Sequence, residues 1–171
     1  MKRLFTTIFT LMLTIGVFGQ FERQNVLIEV GTGVWCPSCP VSVDILKNLK
    51  EEYSDMAVIK YHAFQNDPFE TTATLDRVNF YNMTSFPSTR IDGEKVDPWN
   101  NYDSHKALID SSLNSESDFH ITSYGNPVND RIEVTVHVEK ANDAAVEAVK
   151  LFVILTESSI PYDWFSLDEV N

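Results

Sequence analysis

The two cysteines of the chain, Cys36 and Cys39, follow shortly after an apolar run at residues 26–30 that is typical of a buried strand. The apolar residues beyond them return at the spacing of one helix face: Val41, Ile45, Leu46, Leu49 and Tyr53. Because a helix N-terminus carries unpaired N–H groups and the positive end of the helix dipole, it stabilises a thiolate, the reactive form of cysteine. The pattern predicts a strand, a cysteine pair able to close into a small disulfide, and a helix. It places Cys36 at or just before the first helical turn, with Pro37 at the N1 position.

The first 19 residues have the layout of a secretory signal peptide. Lys2 and Arg3 precede an apolar run that ends at Phe18, and Gly19 follows as a small residue. We expect cleavage after Gly19, with an uncleaved anchor as the alternative. Export would place the cysteines in an oxidising compartment, where a thiol pair is normally a disulfide.

The charge of the chain excludes one class of partner. It has 25 acidic and 13 basic residues, for a formal net charge of −12. A chain this acidic is not attracted to nucleic acid by general electrostatics, so we predict no nucleic-acid partner.

Residues 25–115 show a mixed α/β pattern. Residues 56–62 predict a second strand, and strand, helix, strand with short connections implies a right-handed crossover between parallel neighbours. Residues 69–81 predict a helix, and residues 87–96 predict a hairpin that turns at Asp92-Gly93. A last helix is predicted from Pro98 to Leu113. The predicted order is βαβ–α–ββα.

The pattern changes to strand alternation after about residue 115. Residues 119–124, 132–138 and 149–155 predict three antiparallel strands with one face in water. Three strands fall short of the roughly seven strands of an Ig-type sandwich. We therefore expect residues 117–171 to be an incomplete β-segment: either the sequence is a fragment or its open edges need a partner.

The motif Trp35-Cys36-x-x-Cys39 between a strand and an amphipathic helix, with Pro87 before a hairpin, resembles the thioredoxin superfamily over about residues 25–115. In that family the first cysteine is an exposed nucleophile and the second resolves the mixed disulfide. The resemblance implies these roles for Cys36 and Cys39, respectively. It also implies that Trp35 is the aromatic residue that flanks the nucleophile.

The same resemblance implies four further site residues. Phe86 and Pro87 match the cis-proline position, which faces the disulfide and presents backbone to an extended substrate. Glu29 and Lys60 are the nearest matches to a buried acid and a lysine that move the proton as the disulfide opens. Glu29 departs from the family pattern, being a glutamate with one extra residue before the cysteines; its alternative is a strand-end carboxylate that reaches solvent. Lys60 has the alternative of a strand residue that extends its amine to water.

A narrower resemblance is to the exported Omp twenty-eight-related proteins of Bacteroidota. It is carried by Glu29, the Cys-x-x-Cys-Pro step, Asp67-Pro68-Phe69 and Phe86-Pro87-Ser88. These proteins join a thioredoxin-like domain to an Ig-like β-domain. The resemblance implies an Ig-like sandwich segment over residues 117–171 and a location in the periplasm, in the outer membrane or outside the cell.

Two functions are consistent with these features. The first is a thiol–disulfide oxidoreductase that acts on protein thiols or disulfides of the cell envelope through a redox-active Cys36–Cys39 disulfide, with no cofactor. The second is a non-catalytic surface component, associated with the outer membrane, with a static disulfide and a binding β-domain. A metal site is a third reading of the cysteine pair, but zinc would need two more ligands and no histidine pair stands at a ligand spacing. His62, at the end of a predicted strand, is a candidate to line the site or to be a structural residue.

Overall fold

The structure of the chain is a computed structural model, and it describes residues 19–141 and 148–160. These residues divide into two compact units. The larger unit is built around residues 23–115 and also takes in residues 148–160. The smaller unit comprises the described residues before Arg23 together with residues 116–141.

Eleven elements are formed by the described residues, and their types follow the predicted order βαβ–α–ββα over the larger unit. In chain order they are β1 (Phe21–Glu22), β2 (Val26–Thr32), α1 (Cys39–Glu52), β3 (Met56–His62), α2 (Thr72–Phe80), β4 (Ser88–Ile91), β5 (Glu94–Lys95), α3 (Tyr102–Leu113), β6 (Glu116–Ser117), β7 (Phe119–Val128) and β8 (Arg131–Lys140). The mixed α/β prediction is confirmed.

The larger unit contains a four-stranded sheet in the order β3-β2-β4-β5. Strand β2 runs parallel to β3 and antiparallel to β4, so it is hydrogen-bonded on both edges. The predicted hairpin is present, because Asp92 and Gly93 adopt the positive φ angles that a tight two-residue turn requires. The sheet is therefore mixed, with the strand that leads to the cysteines at its centre.

Helices cover both faces of this sheet. On one face, α1 and α3 bury a cluster with alternate β2 residues, whose members include Val26, Ile28, Val30, Leu46, Leu49 and Ile109. On the other face, α2 contributes Val78 to a second cluster with Tyr61 and Met83. Because successive strand residues point to opposite faces, Glu29 and Gly31 lie on the α2 face. A strand buried on both faces explains the nearly continuous apolar run in the sequence.

The predicted starts of α2 and α3 are too early, and capping residues explain both. Helix α2 begins at Thr72, since the Thr71 hydroxyl accepts a hydrogen bond from Thr74 N while the Thr74 hydroxyl accepts one from Thr71 N. Phe69 therefore precedes the helix. Helix α3 begins at Tyr102, because the Asn101 side chain accepts from Ser104 N at 2.9 Å.

The smaller unit contains a hairpin of β7 and β8 with ten residues in each strand. Its register places apolar pairs such as Ile121 with Val138 on one face and polar pairs such as Thr122 with His137 on the other. Both strands are longer than predicted. The third predicted strand, residues 149–155, is wrong: these residues form no strand in the structure. A strand needs a neighbour to satisfy its backbone N–H and C=O groups, and no sheet formed by the described residues includes residues 149–155.

No helix among residues 19–141 and 148–160 is long and apolar enough to span a bilayer. Residues 1–18, which hold nearly all of the predicted signal peptide, lie outside the described part of the chain.

The buried histidine of α3 makes a testable prediction about acid stability. His105 is fully buried, its Nδ1–H donates to Asn101 O at 2.8 Å, and its Nε2 has no hydrogen-bond partner among the described residues. Burial lowers the pKa of His105 below its ordinary value of 6.5. As the pH falls, His105 is therefore protonated in the unfolded chain before it is protonated in the folded protein. We expect the free energy of unfolding to fall as the pH drops below 6.5, and to stop responding once the folded-state pKa is passed.

We predict that His105→Leu removes this dependence. Between pH 7 and pH 5 the variant should gain stability relative to wild type, by up to about 1.4 kcal/mol per pH unit. Urea unfolding followed by tryptophan fluorescence at several pH values measures the difference. The matched control is His137→Gln on exposed β8. Parallel pH curves for His105→Leu and wild type would contradict the prediction.

Candidate redox site

The two cysteines form a disulfide at the start of α1, with a Cα–Cα distance of 5.4 Å. Cys39 is the first helical residue, and Cys36 lies in the turn that precedes it. Two backbone hydrogen bonds shape that turn, from Cys36 N to Gly33 O at 3.1 Å and from Cys39 N to Cys36 O at 3.3 Å. The pair is therefore joined at the N-terminus of α1, which is the positive end of the helix dipole.

The helix starts later than the N1 assignment of Pro37 predicted. Pro37 precedes the helix, and Pro40 lies in its first turn instead. First-turn N–H groups have no intrahelical acceptor, so Pro40 removes no helical hydrogen bond there.

Both cysteines are buried, with exposed fractions of 3% for Cys36 and 4% for Cys39. Cys36 is therefore not exposed in this oxidised form, contrary to expectation, while its role as the nucleophile stays a prediction. A disulfide carries neither a thiol hydrogen nor a charge, so its sulfurs pack like a small apolar group at little cost. A sulfur that attacks this bond must first gain access to it.

Three aromatic rings from three separate loops form a stack beside the turn. Trp35 lies 5.6 Å from Phe86 between ring centroids, and Phe86 lies 5.3 Å from Phe64. The Trp35 indole N–H donates to Ala63 O at 3.1 Å. Trp35 and Phe86 are predicted site residues that the structure brings together; Phe64 is one that sequence patterns missed.

The peptide bond between Phe86 and Pro87 is cis, and Pro87 is buried. The stack leaves no room for side chains on the strand beneath it. A Cβ on Gly31 would lie 2.7 Å from both the Phe86 ring and the Met83 sulfur, and one on Gly33 would lie 2.5 Å from Trp35 Nε1. The two glycines therefore allow Trp35 and Phe86 to pack directly on the backbone.

Asp67 ties the cysteine segment to the loop between β3 and α2. Its buried carboxylate accepts hydrogen bonds from Val34 N at 2.7 Å and from Phe69 N at 3.0 Å. Nδ1 of His62 lies 3.2 Å from each carboxylate oxygen. His62 thus lies at the end of β3, next to the loop that reaches the cysteine segment, and the sequence predicted no role for Asp67 in this contact.

Glu29 is fully buried on the α2 face, so the alternative of a carboxylate that reaches solvent is wrong. Arg77 donates to it from Nε at 2.7 Å and from Nη2 at 3.0 Å. The hydroxyls of Tyr61 and Tyr81 donate at 2.8 and 2.5 Å. Burial by itself raises the pKa of Glu29, but the hydrogen bonds from Arg77, Tyr81 and Tyr61 outweigh it and hold the pKa below its ordinary value. Glu29 is therefore an ionised partner of Arg77.

The structure does not bring Glu29 and Lys60 together. Lys60 is exposed and pairs in register with Val30, whereas Glu29 pairs with Ile59. Neighbouring residues of a strand point to opposite faces, so the acid and the lysine lie on different faces of the sheet. Nor does the sequence carry a signal for the partners that Glu29 does have, since Arg77 lies on α2, far along the chain.

The comparisons with known proteins bear on the fold. No protein-family model matches the chain, and no curated protein matches it. Among solved structures, HBP35 of Porphyromonas gingivalis matches with a TM-score of 0.54 and 19% identity, over 73% of this chain and 45% of that chain. A mutant thioredoxin from Halobacterium salinarum NRC-1 has a TM-score of 0.41 and 24% identity, over 55% of this chain and 80% of that chain. The oxidised thioredoxin of Plasmodium falciparum has a TM-score of 0.37 and 20% identity, over 54% and 85%.

At these identities the likeness concerns the fold alone. This chain spans less than half of the length of HBP35. The parallel β2-α1-β3 crossover, the antiparallel β4–β5 hairpin and the disulfide at the start of α1 give the larger unit a mixed α/β, thioredoxin-like fold. In the described part of the chain, no three or more His, Cys, Asp or Glu side chains form a group that could hold a metal ion.

We predict that Glu29→Gln destabilises the larger unit, because it leaves Arg77 without its buried counter-charge. Breaking a buried pair from one side costs about 3–5 kcal/mol. Since the pKa of Glu29 is lowered in the folded state, the wild-type contribution is present above its ordinary value of 4.5 and is lost as the pH falls through the folded-state pKa. The penalty should therefore shrink in acid, as urea unfolding at pH 7 and pH 3 would measure.

The same variant tests the proton-relay role that the resemblance implies for Glu29. If Glu29 serves only as a structural partner of Arg77, on the face of the sheet opposite α1, the rate of disulfide exchange in Glu29→Gln should keep the pH dependence of the wild type. The double variant Glu29→Leu with Arg77→Met is the matched control, since it removes both charges. A changed pH profile in folded Glu29→Gln would support the relay role instead.

Proposed function

We propose that this protein is an exported thiol–disulfide oxidoreductase that acts on protein thiols or disulfides outside the cytoplasm. The observation that carries the proposal is the Cys36–Cys39 disulfide at the N-terminus of α1, within a thioredoxin-like fold. The positive end of a helix dipole stabilises a thiolate, and such a thiolate exchanges readily with disulfides.

The reaction of the oxidised form proceeds in two displacements. A substrate thiolate attacks Cys36 Sγ, the Cys36–Cys39 bond breaks, and its electron pair leaves on Cys39 as a thiolate. A second substrate thiolate then attacks the substrate sulfur of the mixed disulfide and releases Cys36 as a thiolate. The substrate gains a disulfide and loses two electrons, and the protein gains two thiols once protons are taken up. The reverse sequence reduces a substrate disulfide, with Cys36 as nucleophile and Cys39 as the resolving thiol.

The proposal extends to the location and the relatives of the protein. The predicted signal peptide at residues 1–19 supports export to the periplasm, to the outer membrane or out of the cell, where the partners would be envelope proteins. The amphipathic β7–β8 hairpin supports an Ig-like β-segment over residues 117–171 after a thioredoxin-like domain at residues 25–115. That arrangement is the one implied by the resemblance to the Omp twenty-eight-related proteins.

A second function is favoured by the burial of the disulfide. With Cys36 and Cys39 exposed by 3% and 4%, an attacking sulfur has little direct access to either. This favours a non-catalytic surface component in which the disulfide stiffens the start of α1. The two functions differ in whether thiols reduce the bond in the folded protein.

Trapping distinguishes the two functions. We expect Cys39→Ser to accumulate mixed disulfides through Cys36 with envelope proteins, because the resolving thiol is absent. Non-reducing gels and mass spectrometry of the full-length variant would identify them, with the double variant Cys36→Ser, Cys39→Ser as the control. A wild-type disulfide that resists dithiothreitol in the folded protein, together with no trapped species, would establish the static alternative.

The hydroxyl of Ser38 supplies a further prediction. Ser38 Oγ lies 3.8 Å from Cys36 Sγ, within the range of a hydrogen bond to sulfur. In the reduced protein this hydroxyl would donate to the Cys36 thiolate, and a hydrogen bond to a charged group is worth about 1.5–3 kcal/mol. We expect Ser38→Ala to slow alkylation of reduced Cys36 near neutral pH by about tenfold.

Ser38→Thr is the matched control, since it keeps the hydroxyl and should alkylate at a rate close to wild type. Equal rates for Ser38→Ala and wild type would show that Ser38 does not stabilise the thiolate. Stopped-flow alkylation with iodoacetamide, after reduction of the full chain, measures all three proteins.

A further inference from the structure

The loop between β3 and α2 holds an unusual backbone conformation next to the disulfide segment. Phe64, Gln65 and Asn66 all have positive φ, at 67°, 53° and 57°. Such angles are uncommon for residues other than glycine, and they persist where surrounding contacts determine them. Here Asp67 N donates to Phe64 O, and the Glu70 side chain accepts from Phe64 N at 2.5 Å. The loop folds back tightly and delivers the Asp67 side chain to a buried position.

The Asp67 side chain has no solvent exposure, so its oxygens depend on protein donors for their hydrogen bonds. Oδ2 accepts from Val34 N, and Oδ1 accepts from Phe69 N. The Nδ1 atom of His62 lies 3.2 Å from each of these oxygens and faces two acceptors, so Nδ1–H is the donor. Three donors therefore hold one buried carboxylate in place.

The loop after β3 binds the segment that carries Cys36 at two consecutive residues. Val34 is bound to Asp67 through its backbone N–H, and Trp35 is bound to Ala63 O through its indole N–H. The next residue is Cys36, whose own N–H turns back to Gly33 O. The position of Cys36 relative to the first turn of α1 is thus determined from outside the segment, by the loop after β3.

We propose that Asp67 is a positioning residue for thiol–disulfide exchange, one that holds Cys36 against the N-terminus of α1 when the disulfide opens. The inference rests on the proposed function and assigns a role to a residue that does not contact the reacting sulfurs. Opening the disulfide removes the covalent link between Cys36 and α1. The hydrogen bonds of Asp67 then limit how far the thiolate moves from the positive end of the α1 dipole, which stabilises it.

Asp67→Asn is the informative variant because it preserves the shape of the side chain. Both carboxylate oxygens accept from backbone N–H groups, and an amide offers only one acceptor oxygen while its NH₂ would face the other N–H. One of the two backbone ties is therefore lost. Small misplacements of a reacting group reduce rates by large factors, and we expect alkylation of reduced Cys36 to slow roughly tenfold.

A matched control exists at the opposite end of β2. Asp92 also accepts a backbone hydrogen bond, from Leu27 N at 3.0 Å, and also pairs with a basic side chain, Arg23, at 2.9 Å. Asp92→Asn therefore makes the same chemical change in the same unit, away from the disulfide. We expect it to lower the unfolding midpoint without altering the alkylation rate or the redox equilibrium.

The test measures wild type and both variants as full-length chains, by iodoacetamide alkylation after reduction and by equilibration in glutathione buffers. Slower alkylation and an equilibrium displaced toward the disulfide in Asp67→Asn alone would support the inference. Wild-type values in folded Asp67→Asn would overturn it. Faster alkylation would overturn it too, because it would show that the negative charge of Asp67, rather than its hydrogen bonds, governs Cys36.

Two further results keep the outcome decisive. If Asp67→Asn does not fold, His62→Phe removes the side-chain donor that holds the Asp67 carboxylate facing Val34 N, which weakens the tie to the cysteine segment. A shift of a few-fold in the same direction supports the inference, and unchanged values overturn it. If thiols do not reduce the wild-type disulfide, the proposed function fails, and the positioning role fails with it. An active wild type with an unaltered Asp67→Asn variant overturns the positioning role alone.

Discussion

The burial of β2 on both faces and both edges is the constraint on which the rest of the larger unit depends. Its alternate apolar residues, Val26, Ile28 and Val30, pack under α1 and α3. Its other face carries Glu29 and Gly31, which lie under α2 and the Phe86 ring. Hydrogen bonds to β3 and β4 hold both edges. Because the strand is held on every side, its C-terminal end fixes where the segment that leads to the disulfide begins.

Two buried carboxylates fasten distant parts of the chain to this centre, each by a different chemistry. Glu29 pairs with the positively charged guanidinium of Arg77 and accepts hydrogen bonds from two tyrosine hydroxyls. Asp67 is balanced by backbone N–H groups and a histidine. The first joins α2 to the sheet, and the second joins the loop after β3 to the cysteine segment. A buried charge makes such a connection specific, because any displacement leaves it without compensation.

Local patterns predicted much of this architecture correctly. The strand, helix, strand unit followed from hydrophobic spacing, and the hairpin followed from Asp92-Gly93, whose turn requires positive φ. Two of the wrong predictions had different causes. Phe69 fits the apolar face of a helix, yet the Thr71 cap starts α2 later. The apolar run at residues 149–155 has the composition of a strand, but it joins none of the sheets formed by the described residues. Strand formation depends on a partner edge, which composition does not supply.

The sequence by itself determined the local chemistry of this protein: two cysteines ahead of an amphipathic helix, flanked by Trp35, and a proline before a tight hairpin. Those features depend on spacing along a few residues, and spacing can be read directly. Only the tertiary structure decided that Cys36 is buried, that Glu29 faces Arg77 rather than Lys60, and that Asp67 holds the segment before the disulfide. Each of these depends on contacts between residues far apart in the chain. Their free energy comes from burial and mutual hydrogen bonding, which exist only once the sheet and its helices have assembled.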